Sequence, residues 1–375
     1  MRRVNTAHRL PTPLELLLTP KEVESLNRTL ADVGGGSKLP IVFAEIHLTD
    51  RCNSRCHFCN QTKGHRSQKE MPFYEFCRLI DELVDNGLRG VRLSGGGEPT
   101  AHTRFIQILE YLQYKSVRLI DLDTNGLLLR KRIRDAVVAC EPRKIHVSLL
   151  SPNGPCWSRE TSLPEAKYLT VVESIRLLAR QLGGDSRRVV TSFVIDKNTF
   201  DTVLDMEELA LELGVEFVVH DLNNYFYDED FHKNCVPVLI KNLRFLQRST
   251  LEKRFYLRVL NELEEARRDL VGEETKAAQN DSRKCLAPWC AVTIRPDSSF
   301  HPCCAIVDRN KPLGIFYGSS VDEILSNVHY KSLHEDARQI FVDSESGNRK
   351  LLFLRKECKG KCGPKAGLYS HASIV

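Results

Sequence analysis

The chain has 375 residues, 42% of them hydrophobic and 27% charged, with 54 Lys and Arg against 49 Asp and Glu. That is enough for one large globular domain plus a smaller one. The net charge of +5 suits an anionic ligand but does not call for a nucleic-acid partner. No apolar run reaches the roughly 18–20 residues needed to cross a bilayer, and the basic N-terminus has no apolar h-region behind it. A cytoplasmic protein with no membrane partner is therefore expected.

In chain order, residues 1–40 read as a leader. Thr19-Pro-Lys-Glu22 has the form of a capping box with proline in the first turn, opening a helix that ends at Gly34-Gly-Gly-Ser37. From residue 41 strands and helices alternate. Apolar strands are expected at 41–48, 90–94, 118–123, 144–150, 189–195 and 215–220. Helices are expected at 73–84, 102–114, 129–140, 165–182 and 199–213. Six strands alternating with helices predict a parallel α/β sheet, open or curled into a barrel, with its site at the C-terminal strand ends. Residues 236–270 read as one or two further helices and 271–284 as a linker. Beyond it, Ala291-Val-Thr-Ile-Arg295 and the turn at Pro296-Asp-Ser-Ser299 predict a hairpin, and a helix follows near 320–340.

The 13 cysteines are an odd number in a chain expected to meet a reducing compartment, where disulfides are disfavoured. Most cluster: Cys52, Cys56 and Cys59; Cys285, Cys290, Cys303 and Cys304; Cys358 and Cys362. Short spacings of this kind indicate metal or iron–sulfur ligation. The first set, Cys52-Asn-Ser-Arg-Cys56-His-Phe-Cys59, follows the first strand directly. Three thiolates there can hold three irons of a [4Fe–4S] cube and leave the fourth iron open. After the second strand comes Ser94-Gly-Gly-Gly-Glu-Pro99, where glycines let the backbone approach a ligand and a carboxylate can hold an ammonium group. Thr124-Asn-Gly126 ends the third strand, as an ordinary turn or a ligand contact. Ser148 lies in the fourth, as a small core residue or a cofactor contact.

The C-x3-C-x2-C loop, Phe58 before its last cysteine and the glycine-rich acidic turn together resemble the radical S-adenosylmethionine superfamily. That resemblance implies a partial (β/α)6 TIM-type barrel over residues 41–270. It implies a [4Fe–4S] cluster with an open iron on Cys52, Cys56 and Cys59. S-adenosylmethionine would be held near Phe58, Gly96, Gly97, Glu98, Asn125 and Ser148. One-electron cleavage would release a 5′-deoxyadenosyl radical that takes a hydrogen atom from a C–H bond, with the electron supplied by a donor such as flavodoxin or ferredoxin.

The later cysteines resemble the C-terminal twitch or SPASM extension, here placed at residues 285–365. Its implied auxiliary [4Fe–4S] cluster would use Cys285, Cys303, Cys358 and Cys362, with Cys290 and Cys304 as spare candidates. A four-cysteine zinc ribbon is the alternative. The glycine usual after the hairpin aspartate is replaced by Ser298-Ser299. Cys235 and Cys156, after strands six and four, are candidate hydrogen-atom donors or simply small buried residues. The loop Asn223-Asn-Tyr-Phe-Tyr-Asp-Glu-Asp230, with Trp157 and Arg159, is a candidate substrate contact or an ordinary surface.

Many relatives modify peptides and carry an N-terminal peptide-binding domain, which the 40 residues ahead of the first strand would not accommodate. The resulting expectation is an oxidoreductase-type enzyme acting on a small polar molecule such as a sugar, cyclitol or nucleoside. A peptide maturase and a non-catalytic iron–sulfur electron carrier are the alternatives.

Overall fold

The computed structural model describes residues 17–19, 21–22, 40–59, 68–221, 234–249, 287–302 and 312–331. Six parallel strands run in sequence order: β1 (Phe43–His47), β2 (Gly90–Ser94), β3 (Arg118–Thr124), β4 (Lys144–Ser148), β5 (Val189–Ile195) and β6 (Glu216–Asp221). Helices α1 (Phe73–Asp85), α2 (Phe105–Tyr114), α3 (Lys131–Ala139), α4 (Gly154–Thr161), α5 (Ala166–Leu182), α6 (Val203–Leu213) and α7 (Val236–Ser249) connect and follow them. This is the α/β partial barrel, with its strands within one or two residues of the expected limits. Among the described residues no helix is long and apolar enough to cross a membrane.

The alternation of side chains builds two different faces. Ala44, Ile46, Leu93, Leu122, Ile145, Val147, Phe193 and Ile195 point to the helices and join one buried apolar cluster. Their alternates Glu45, His47, Arg92, Ser94, Asp123 and Ser148 take the concave face. Polar groups there find one another: Ser94 Oγ donates to Glu45 Oε1 at 2.6 Å, Arg92 Nε donates to Asp123 Oδ2 at 3.1 Å and Lys144 pairs with Glu216 at 3.2 Å. Buried charges of this kind persist only when paired.

α4 is absent from the sequence expectation. Its cue is local: Asn153 caps it by accepting from Cys156 N at 3.0 Å, and Pro155 sits in the first turn, the usual grammar of a helix start. The helix expected at 102–114 is α2, which begins at Phe105, and a short 3-10 turn (Pro99–Ala101) precedes it. The leader's capping box is present, with Thr19 N donating to Glu22 Oε2 at 2.7 Å and Glu22 N to Thr19 Oγ1 at 3.3 Å. Arg89 ties it to the base of the barrel through Glu22 at 2.7 Å.

The hairpin of the C-terminal region is β7 (Ala291–Ile294) and β8 (Ser299–His301). β7 lies parallel to β1, and β8 and β9 (Gly314–Ile315) add antiparallel strands, giving the order β6-β5-β4-β3-β2-β1-β7-β8-β9. Ser298 occupies the position where glycine was expected and takes a left-handed φ of 61°. Asp297 Oδ1 holds the turn by accepting from Ser299 Oγ at 2.6 Å. The helix expected over 320–340 is interrupted: Val321–Ser326, with a capping box between Ser320 and Glu323, stops at Asn327, whose backbone is extended. Its expected portion past 331, the helix beyond 249, the leader helix past 22 and the linker lie outside the described residues.

Candidate active site

The cysteine loop leaves the end of β1 and is fastened on three sides. On the first, Asp50 N donates to Lys69 O at 2.9 Å and Arg51 Nη2 to Ala101 O at 2.8 Å. On the second lies the glycine-rich turn: Glu98 N donates to Arg51 O at 2.8 Å. A Cβ on Gly97 would fall 2.1 Å from Arg51 O and 2.6 Å from Asp50 C, so only glycine permits this approach. On the third, the last turn of α4 offers carbonyls to the loop. Arg55 N donates to Thr161 O at 3.0 Å, His57 N to Glu160 O at 3.2 Å and Ser54 Oγ to Thr161 O at 3.3 Å.

Glu98 is buried and binds inward. Its Oε1 accepts from Thr100 N at 3.1 Å, Thr100 Oγ1 at 2.5 Å and Thr124 Oγ1 at 2.7 Å, and its Oε2 accepts from Asn125 N at 2.7 Å. Burial pushes the carboxyl above its usual range although these donors oppose it. One side chain thus ties the turn after β2 to the turn after β3. Asn125 continues the connection: its Nδ2 donates to Asn53 Oδ1 at 2.6 Å and lies 3.9 Å from Cys52 Sγ. Its Oδ1 accepts from Leu127 N at 3.1 Å.

Cys52, Cys56 and Cys59 are all half-buried and, like the other described cysteines, are not in disulfides. Cys59 N donates to Cys56 O at 3.1 Å, and Ser54 Oγ lies 3.1 Å from Cys56 Sγ. Three thiols on one fastened loop, beside a glycine turn that leaves no room for a Cβ, fit the ligand set of a cluster that coordinates at three irons. Phe58 packs partly buried against the core and meets the His57 ring edge-on at 5.3 Å. Ser148 ends β4, opposite Ser192 of β5.

The remaining expected site residues are spread more widely. Cys156 lies in the first turn of α4, where Arg159 Nη2 donates to its Sγ at 3.4 Å. Trp157 is buried against Tyr168. Cys235 precedes α7 and packs against the apolar core. Cys290 is buried at the end of the short helix Ala287–Cys290, its carbonyl accepting from Val42 N at 2.9 Å. Cys285, Cys303, Cys304, Cys358, Cys362 and the loop 223–230 lie outside the described residues.

One group escaped the sequence reading. His57 Nε2 lies 2.6 Å from Asp196 Oδ2 and His57 Nδ1 lies 3.1 Å from Glu160 Oε2. Burial and the neighbouring Asp196 push the Glu160 carboxyl up to about 7. The acids come from α4 and from the turn after β5, far along the chain, so no local spacing announces them.

The Radical SAM superfamily model matches residues 46–219. GTP 3′,8-cyclase of Synechocystis sp. is 29% identical over 191 residues, 50% of this chain and 56% of that protein. The antilisterial bacteriocin subtilosin biosynthesis protein AlbA of Bacillus subtilis is 25% identical over 305 residues, 80% of this chain and 63% of that one. The chain thus spans less than two thirds of these curated relatives. Among solved structures, Streptococcus suis SuiB bound to precursor peptide SuiA matches with a TM-score of 0.57 at 16% identity, covering 85% of this chain and 72% of that one. Native anSMEcpe with bound AdoMet and peptide matches with a TM-score of 0.56 at 16% identity, covering 85% and 88%. At such identity the likeness to solved structures is one of fold. Residues 46–219 are thus similar to the Radical SAM superfamily, a class that works with a [4Fe–4S] cluster and S-adenosylmethionine.

Proposed function

We propose that the chain cleaves S-adenosylmethionine reductively and removes a hydrogen atom from a small polar substrate of the sugar, cyclitol or nucleoside type. The observation that carries the substrate class is the polar concave face of the sheet, where Glu45, His47, Arg92, Ser94 and Asp123 converge below the cysteine loop. A hydroxyl-rich molecule would exchange its hydrogen bonds to water for bonds to these groups.

Cys52, Cys56 and Cys59 would hold the cluster. Gly96 and Gly97 would offer backbone groups to the methionine amine, with Glu98 behind them as a carboxylate. Phe58, Asn125 and Ser148 would line the cofactor's place. When bound, the cluster supplies one electron to the sulfonium and so releases the 5′-deoxyadenosyl radical. The fastened loop keeps the geometry fixed. Cys156 and Cys235, both half-buried, are the candidate hydrogen-atom donors. An auxiliary cluster on Cys285, Cys303, Cys358 and Cys362 would accept a second electron or support the substrate surface, and an external donor such as flavodoxin or ferredoxin would reduce the first cluster.

A second reading, maturation of a ribosomally made peptide, is favoured by the similarity to AlbA over 80% of the chain. Anaerobic assays with S-adenosylmethionine and reductant separate the two. Small polyols or nucleosides should raise 5′-deoxyadenosine formation above the substrate-free rate. Stimulation by peptides alone would transfer the assignment to maturation.

A further inference from the structure

We propose that His57 is a positioning residue for the cluster, its ring pinning the segment between Cys56 and Cys59 to α4 and to the turn after β5. The proposal rests on the reading that Cys52, Cys56 and Cys59 hold the cluster. His57 has no part in the ligand set, yet its side chain, beside the apolar packing of Phe58, ties the C-terminal half of the cysteine loop to polar groups of the barrel. Its ring spans Asp196 Oδ2 at 2.6 Å and Glu160 Oε2 at 3.1 Å.

Both anchors are rigid. The side chains of Glu160 and Asp196 are 1% and 4% exposed. Asp196 Oδ1 accepts from Asn198 N at 2.7 Å and from Thr199 Oγ1 at 3.1 Å, so its carboxylate cannot swing away. The Glu160 backbone also holds the loop, accepting from His57 N at 3.2 Å. Two buried carboxyl groups side by side repel and are costly to desolvate, and the ring between them hydrogen-bonds to Asp196 and stands at ion-pair distance from Glu160.

A divalent cation site is the competing explanation, because ligand atoms of His57, Glu160 and Asp196 lie within 4.8 Å of one another. The geometry speaks against it. His57 Nε2 and Asp196 Oδ2 lie 2.6 Å apart, a hydrogen-bond distance and shorter than the roughly 3 Å that separates two ligands of one ion. A ring bridging two acids is a clamp. Clamps of this kind matter to the metal they support: groups that orient ligands without touching the ion commonly change retention by about 10–100-fold. His57 also meets Phe58 edge-on, so the clamp fixes that ring as well.

The test uses the full chain reconstituted anaerobically with iron and sulfide. Iron loss to a ferrous chelator is followed by absorbance, and Cys52→Ala identifies which phase belongs to the first cluster. That phase should run about ten-fold faster in His57→Ala and at an intermediate rate in His57→Gln, which restores one hydrogen bond. The electron paramagnetic resonance signal of the reduced cluster, recorded with S-adenosylmethionine, should broaden in His57→Ala and sharpen again in His57→Gln. Should His57→Ala not fold, Asp196→Asn carries the same measurement, with a smaller acceleration expected. Wild-type rate and spectrum in these variants would overturn the clamp alone. Wild type that takes up no iron on Cys52, Cys56 and Cys59 would overturn both the clamp and the functional reading.

Discussion

At the ends of β1, β2 and β3 the chain turns on cysteine, glycine and a buried carboxylate. At the ends of β4 and β5 it turns on a capped helix and on an aspartate bonded to its own following residues. The first rim has the chemistry and little packing of its own. The second has no recognisable motif, yet Thr161 and Glu160 carbonyls and the Asp196 carboxylate hold the other rim in place. Reactive groups sit in short local patterns because a cluster needs several ligands close together. Their support comes from wherever the fold brings a rigid surface.

Substitutions can break this division. Gly97→Ala should have the largest effect, because the added methyl meets the Arg51 carbonyl at 2.1 Å and backbone cannot yield as a side chain can. We expect a loss of about 2–3 kcal/mol in chemical denaturation and a chain that takes up less iron. Glu98→Ala removes the acceptor of four hydrogen bonds and should cost about 2 kcal/mol, with Glu98→Gln costing less. Equal stability of Glu98→Ala and wild type would mean that the two turns are not joined through this side chain.

Ser298→Gly should act in the opposite direction. It removes a side chain from a left-handed φ of 61° and should stabilise by about 1 kcal/mol, read as a raised melting temperature. A further effect depends on pH and concerns Glu160. Its carboxyl is pushed up from 4.5 to about 7 by burial and by Asp196. A raised carboxyl favours the folded state at pH below the unfolded value, and that contribution is lost as pH rises through about 7. Stability of wild type should therefore fall between pH 5 and about 8 more steeply than that of Glu160→Gln. Parallel slopes would remove Glu160 as the source.

The strand limits were legible because apolar runs between glycine and charged turns leave little choice of period. The glycine-rich turn was legible as a motif, but not the reason for it: Gly97 is glycine because Arg51 O lies where a Cβ would be. Glu98 reads in sequence as a ligand-facing acid, whereas its four bonds run to Thr100, Thr124 and Asn125. α4 could have been read from Asn153 and Pro155. His57 was visible beside the cysteines, but Glu160 and Asp196 were not linked to it, since nothing along the chain reveals that α4 and the β5 turn meet the loop. Nor does the hairpin sequence reveal that β7 pairs with β1, because pairing of a strand so distant in sequence leaves no periodic trace.

The first cysteine set carries the proposed activity, and 5′-deoxyadenosine tests its role most directly. Reconstituted wild type, reduced and given S-adenosylmethionine, should form it and should hold about eight irons, as two four-iron cubes. Cys52→Ala should form none while keeping roughly half of that iron. Product from Cys52→Ala, or none from an iron-loaded wild type, would contradict that role.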